Sequence, residues 1–288
     1  MAEYKIGDIE TLTGIKAHTI RIWEKRYGIL VPERTDTHIR TYNDDELTYL
    51  LNITLLNKNG HKISKIAQLS DSEIKQLVWE IKTSPVTELS TEKLLLALIE
   101  LDEWLFKETL TLLIEEHGFE TAFIDFLVPF LDRIGIMWLV GSISAAQEHF
   151  MSNLIRQKII AEIDKQPIPD KNEKPIMLFL PEHEWHEISL LFYQFLLREK
   201  GRNTIYLGQS LPYDSLLDCI KRLQPVALLT SWLTAVDDEY TMSYFAQLRQ
   251  DTNQLPIYAG GAQVNMKAHL ICDYIKEIKK ASDLKDLF

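Results

Sequence analysis

Cysteine is nearly absent. The 288 residues hold two, Cys219 and Cys272, far apart and in no CxxC spacing, which excludes a disulfide framework or zinc knuckle and suits a reducing compartment. Long apolar runs are missing as well: none approaches the roughly 20 residues needed to span a bilayer. The opening "MAEYKIGDIE" is charged from residue 3, unlike a secretory leader. There is no low-complexity tract. These absences lead to the expectation of a globular cytoplasmic protein with no membrane partner.

Positive charge is in the minority. Lys and Arg number 31 against 42 Asp and Glu, a net charge of −11, which argues against nucleic-acid binding by the chain as a whole. The average conceals an asymmetry. Residues 1–70 hold ten Lys/Arg and nine Asp/Glu, whereas the other 218 hold 21 and 33. Any contact with nucleic acid therefore belongs to the amino-terminal part. The length implies two or three domains.

Three textures follow one another. Residues 1–70 read as short polar helices broken by turn residues. Residues 71–166 read as nearly continuous helix, with apolar residues at three- and four-residue spacing in "EKLLLALIELDEWLFKETLTLLIEE" and "FIDFLVPFLDRIGIMW". "DKQPIPDKNEKP" then reads as a solvated linker. From residue 174 to 288 short apolar strands alternate with helices: "PIMLFL", "NTIYLG", "PVALLTSWL" and "LPIYAGG" are strands, and "EISLLFYQFLLREKG", "YDSLLDCIKRL" and "YTMSYFAQLRQD" are helices. That alternation predicts βαβ units and a parallel sheet, with ligands bound outside the carboxyl ends of the strands.

In the first segment, Ile6, Ile9, Leu12 and Ile15 give one helix a buried face, and Gly14 permits a turn. A second helix runs from about Ala17 to Tyr27 with Ile20 and Trp23 inward, which leaves His18, Thr19 and Arg21 outward. Such a helix can enter the major groove, where Arg reads guanine and Thr reads phosphate or a thymine methyl. "TIRIWEKRYGILVPER", followed by "IRTY" and "NDDEL", resembles the MerR-type winged helix-turn-helix along its whole length. The resemblance implies DNA reading by the second helix and a phosphate grip by wing residues Arg40 and Tyr42, with Arg34 a further candidate. The wing tip "TDTHIR" lacks the glycine usual there.

"PEHEWHEISLL" places two histidines and three glutamates at the end of a buried strand. His183 and His186 could in principle begin a zinc site, but no third ligand is evident. "EWHEIS", then "SWL" with 41 residues between Ser189 and Ser231, then "GG" with 26 residues between Leu233 and Gly260 reproduce the order and spacing of the cobalamin-binding signature. The segment is therefore similar to the flavodoxin-like cobalamin-binding fold. The resemblance assigns His186 as axial cobalt ligand, Glu184 as the carboxylate that orients it, and Ser189, Ser231, Leu233, Gly260 and Gly261 as surroundings of the cofactor and its nucleotide tail. Imidazole suits cobalt, and a carboxylate on the other ring nitrogen fixes the tautomer. Glu184 stands where the signature has Asp, and Ser189 where it has Gly. His183 is read as an exposed neighbour without a role.

Within the helical middle, "WLVGSISAAQEH" carries Trp138, nine residues, then Glu148 and His149. It resembles the Trp-x9-Glu-His motif of light- and cobalamin-responsive MerR-type repressors of carotenoid synthesis. There the Trp packs over the upper axial group of adenosylcobalamin and the Glu-His pair contacts the adenosyl ribose. Gly141 can end one helix, and Ser144 with Gln147 forms a capping box for the next. Photoreceptor members have a His directly after the Trp; this chain has Leu139, which leaves light control open.

The expected architecture is multidomain. A winged helix-turn-helix (1–70) is followed by a four-helix-bundle cap (71–166) and an α/β flavodoxin-like cobalamin-binding domain (174–288). The expected function is that of a non-enzymatic transcriptional repressor that binds a double-stranded operator as a homodimer or tetramer. Its affinity would be modulated by adenosyl- or methylcobalamin. Two alternatives remain at this point: a regulator that has lost the cofactor and answers to a protein partner, and a corrinoid carrier for methyl transfer.

Overall fold

The computed structural model describes residues 4–30, 32–34, 39–82, 90–139, 141–281 and 283–284. The chain divides into two compact units, residues 1–154 and 155–288.

The first unit begins with β1 (Tyr4–Lys5), α1 (Ile6–Thr13) and α2 (Ala17–Tyr27). Ile9, Leu12, Ile20 and Trp23 are buried, as their spacing predicts, while Ile6 and Ile15 are half-buried. Gly14 closes α1 in the left-handed region, φ 74°, its N–H donating to the Glu10 carbonyl. β2 (Glu33–Arg34) and β3 (Arg40–Tyr42) pair antiparallel, and β3 also pairs with β1, giving the sheet order β1-β3-β2 among the described residues. The wing-tip residues 35–38 and the Arg34 side chain lie outside the described residues.

α3 (Asp44–Lys58) starts on a capping box in which Asn43 and Glu46 exchange side-chain-to-backbone hydrogen bonds, each 2.9 Å. Its second half is buried on nearly every side, so it belongs as much to the helical body as to the head. α4 (Ile63–Ile66), α5 (Asp71–Lys82), α6 (Ser90–Glu100) and α7 (Glu103–His117) follow. α8 (Phe119–Thr121) runs through a π-helical stretch, Ala122–Leu127, into α9 (Val128–Leu139). α10 (Ala145–Asp164) crosses the division between the two units.

The second unit is a parallel sheet flanked by helices. Its elements are β4 (Ile176–Phe179), α11 (Ile188–Glu199), β5 (Thr204–Tyr206), α12 (Tyr213–Leu223), β6 (Ala227–Ser231), α13 (Asp238–Asp251), β7 (Ile257–Gly260), α14 (Ala262–Ile271) and β8 (Lys276–Ile278). Strand order is β5-β4-β6-β7-β8, all parallel. This is the flavodoxin-like order, whose reversal falls between β4 and β6. The central strands β4, β6 and β7 are buried throughout, as strands covered on both faces must be. The expected four strands are present, with a short edge strand, β8, beyond them.

Candidate cobalamin site and DNA-reading head

The loops after β4 and β6 flank the reversal point, and a single carboxylate joins them. Glu184 is fully buried. One of its oxygens accepts from the Nδ1 of His186 at 2.6 Å and from the His186 backbone N–H at 2.9 Å. The other accepts the backbone N–H groups of Leu233 and Thr234, each at 2.7 Å. The Thr234 hydroxyl donates at 3.1 Å. Burial alone would raise the Glu184 pKa, but the His186 ring and the Thr234, His186 and Leu233 amides outweigh it and hold the carboxyl down at about 2. Glu184 is thus an anion at any ordinary pH. It fixes His186 with Nδ1 inward, and Nε2 becomes the nitrogen through which the ring would meet a metal. The His186 side chain is 61 % exposed.

The next residue is fixed as firmly. Glu187, nearly buried, is ion-paired with Arg156 of α10 and accepts the Tyr206 hydroxyl at 2.6 Å. Burial, then the hydrogen bond to Glu187, pushes the Tyr206 pKa upward. On the other side, His183 donates its backbone N–H to Ser210 Oγ at 3.0 Å, and Gln209 reaches the Trp185 carbonyl at 2.7 Å. The ligand loop is therefore pinned to the loops after both neighbouring strands.

Ser231 ends β6 with its hydroxyl buried and without a hydrogen-bond partner among the described residues. Such a group costs about 1–3 kcal/mol if nothing satisfies it. The glycine pair lies beside it, and each glycine has a packing reason. A Cβ on Gly260 would sit 2.6 Å from the Tyr193 hydroxyl; one on Gly261, at φ 94°, would sit 2.6 Å from the Trp232 carbonyl and 2.9 Å from Ser231 Oγ. Trp232 is buried, and its backbone donates to the Gly260 carbonyl at 2.9 Å and accepts from Gln263 at 3.0 Å. The motif elements "SWL" and "GG" are thus locked together. The glycines serve that lock in the first instance, where the sequence reading had them clear space for a tail. Ser189 is half-buried, near the start of α11.

In the first unit, α9 ends as expected: Gly141 donates to the Trp138 carbonyl at 3.0 Å, with φ 73°. The capping box forms, Ser144 N–H to Gln147 Oε1 at 2.9 Å and Gln147 N–H to Ser144 Oγ at 3.3 Å. Trp138 is 53 % exposed, a degree it shares with Trp79, Trp104 and Trp185. Glu148 lies in the first turn of α10, with its carboxylate 2.9 Å from Nδ1 of the exposed His149. Between the two helices, Ser142 holds another of the buried hydroxyls, with those of Thr109 and Thr230, that have no partner among the described residues. The Leu139 side chain lies outside the described residues.

On the head, α2 exposes His18 and Arg21 and leaves Thr19 half-buried, its hydroxyl 3.3 Å from the His18 ring. Ile22, missed in the sequence reading, is also exposed on this helix. The wing residues sit differently from expectation. Tyr42 is buried and donates to Glu24 at 2.5 Å, and the half-buried Arg40 donates to the other oxygen of Glu24 at 2.8 Å. Both therefore brace the wing against α2. Among the described residues no three His, Cys, Asp or Glu side chains are arranged to hold a metal ion, and no helix is long and apolar enough to cross a membrane.

Two stretches of the chain match known families. Residues 4–73 match the MerR HTH family regulatory protein family and residues 91–161 the B12 binding domain family. Residues 4–73 are thus similar to MerR-type helix-turn-helix regulators and residues 91–161 to a B12-binding domain. The chain is homologous to two repressors of Myxococcus xanthus. The identity is 29 % with HTH-type transcriptional repressor CarH, covering 91 % of this chain and 90 % of that one, and 25 % with HTH-type transcriptional repressor CarA, covering 92 % and 89 %. In fold, the monomethylamine corrinoid protein of Methanosarcina barkeri covers 72 % of this chain and 97 % of its own, with a TM-score of 0.53 and 14 % identity.

Proposed function

We propose that the protein is a DNA-binding transcriptional repressor whose operator affinity is set by a bound cobalamin. The observation that carries this reading is Glu184. One buried carboxylate orients His186 through Nδ1 and braces the amides of Leu233 and Thr234 at the sheet's reversal point, on a chain that begins with a winged reading head.

The residues present fit the cofactor. His186 would hold cobalt from one axial side, and Ser231, with its orphaned buried hydroxyl, would receive the nucleotide tail beside Gly260 and Gly261. Trp138, Glu148 and His149 would contact the upper axial group, which the exposed indole and the unpartnered Ser142 hydroxyl support. Bound cobalamin supplies a cobalt centre whose axial ligands can change, and the chain supplies a fixed imidazole on one side of it. His18, Thr19 and Arg21 would read the groove and Arg34 would contact phosphate, with Arg40 and Tyr42 acting chiefly through Glu24. A near-neutral head binds weakly alone, so a dimer or tetramer would set two or more heads over spaced half-sites.

Homology to repressors along nearly the whole chain supports regulation over the corrinoid-carrier alternative. The test is a visible spectrum after adenosyl- or methylcobalamin is mixed with the protein and the excess removed, in darkness and after light. Wild type should retain cobalamin, and His186→Ala should shift its spectrum. No retained cofactor in any state would leave Ser189 as the mark of a lost site and favour a protein partner as the signal.

A further inference from the structure

α9 carries more than Trp138. Five residues earlier, Arg133 extends its guanidinium to the end of α1 in the reading head, where it donates to the Thr11 carbonyl at 2.9 Å and also to the Leu12 carbonyl. These are among the last carbonyls of α1, which lack intrahelical partners, and a cation there is favoured by the helix dipole. Arg133 is half-buried in this contact.

The contact leads directly to the reading helix. Directly before Thr11 and Leu12, Glu10 of α1 accepts the backbone N–H of Ala17, the first residue of α2, at 2.9 Å, and the Lys16 ammonium at 3.0 Å. Gly14 donates to the Glu10 carbonyl at 2.9 Å. The end of α1 and the start of α2 therefore form one hydrogen-bonded unit. Its outer residues are His18, Thr19 and Arg21, and its anchor on the bundle is Arg133.

We propose that Arg133 is the positioning residue through which α9 sets the orientation of the reading helix, and hence the residue through which cobalamin alters DNA affinity. The second half of this proposal rests on the functional reading above; the first does not. One guanidinium nitrogen, Nη2, bridges two successive carbonyls, and because its N–H directions are fixed in the plane of the group it sets direction as well as distance, which a freely rotating lysine ammonium does not. A small movement of α9 would be delivered to α2 as a change of bearing, with the head's own fold intact.

The experiment uses the full chain as wild type, Arg133→Gln and Arg133→Lys, with a DNA duplex selected by the wild type from a random library. Two quantities are read: the ratio of DNA dissociation constants with and without adenosylcobalamin, and amide hydrogen exchange along the chain. In Arg133→Gln, cobalamin uptake and spectrum should match wild type and the ratio should fall to within about twofold of one. Exchange should rise by about tenfold or more at residues 10–17 and stay unchanged in the sheet. Arg133→Lys should fall between. An unchanged ratio with unchanged protection of residues 10–17 overturns the proposal. So does loss of cobalamin uptake in both variants, which would place Arg133 in the bundle's own stability. A wild-type ratio of one defeats the functional reading instead, and the exchange at residues 10–17 still decides whether Arg133 positions the head.

Discussion

Glu184 and Thr234 lie fifty residues apart in the chain and 2.7 Å apart in the structure, carboxylate oxygen to backbone nitrogen. That bond, with its neighbour from Leu233, closes the sheet's reversal point and makes one buried anion serve both the loop of the proposed ligand and the loop that follows β6.

Removing this anion should be costly. Glu184→Ala leaves three amides, a hydroxyl and the His186 ring without their acceptor, so we expect a loss of about 3 kcal/mol or more. Thermal unfolding without cofactor measures it. A carboxylate behind a metal-binding histidine typically changes affinity by about 10–100-fold. Cobalamin titration of Glu184→Asp, which keeps the charge on a shorter arm, should therefore show a smaller loss than Glu184→Ala.

The two glycine environments make opposite predictions. Gly261→Ala forces a Cβ to within 2.6 Å of backbone at φ 94°, and should cost at least about 2 kcal/mol. Gly135 lies inside α9 with nothing within 4 Å of an added Cβ. Gly135→Ala should instead stabilise by about 0.5–1 kcal/mol. Urea unfolding should show the two midpoints moving in opposite directions at similar m-values.

Arg156 and Glu187 should couple in a double-mutant cycle. The carboxylate is nearly buried, but the Arg156 side chain is 45 % exposed, so solvent screening reduces the pair to about 1 kcal/mol. Tyr206→Phe should remove a separate contribution of similar size. Coupling near zero between Arg156→Met and Glu187→Gln would mean that the pair does not tie α10 to the ligand loop.

Acid should loosen the start of the reading helix. The Glu10 pKa is lowered, first by the Ala17 N–H and then by the Lys16 side chain. A group with a depressed folded pKa stabilises fully above its ordinary carboxylate value and loses that contribution as pH falls through the folded one. Exchange at Ala17, corrected for its intrinsic pH dependence, should rise as pH is lowered from about 5 to 3. In Glu10→Gln it should already be raised at neutral pH and should no longer respond to acid.

Much of this was legible in the sequence because it rests on local rules. α2 and α12 occupy the residues that apolar spacing and flanking turns predict, and the Ser144–Gln147 box announces its helix. "EWH", "SWL" and "GG" fall at strand ends, which a parallel sheet must bring together. What was missed depends on long-range partners. β8 is three residues with Ile278 alone buried, too short and too charged to signal a strand. Thr234, Trp232 and Tyr193 are ordinary residues until a distant carboxylate or glycine faces them. Tyr42 was assigned to phosphate through the family resemblance alone; its bond to Glu24 was not legible because that partner sits on another element. Arg133 was visible only as one charge in an apolar helical run.

The most direct test of the account is a DNA titration of the full chain with and without adenosylcobalamin, repeated with His186→Ala. The selected duplex should bind wild type with affinities that differ by at least about fivefold between the two conditions, and His186→Ala should lose most of that difference. Equal affinities for wild type that has visibly retained its cobalamin would contradict the account, because the cofactor would then sit in the protein without being read by the head.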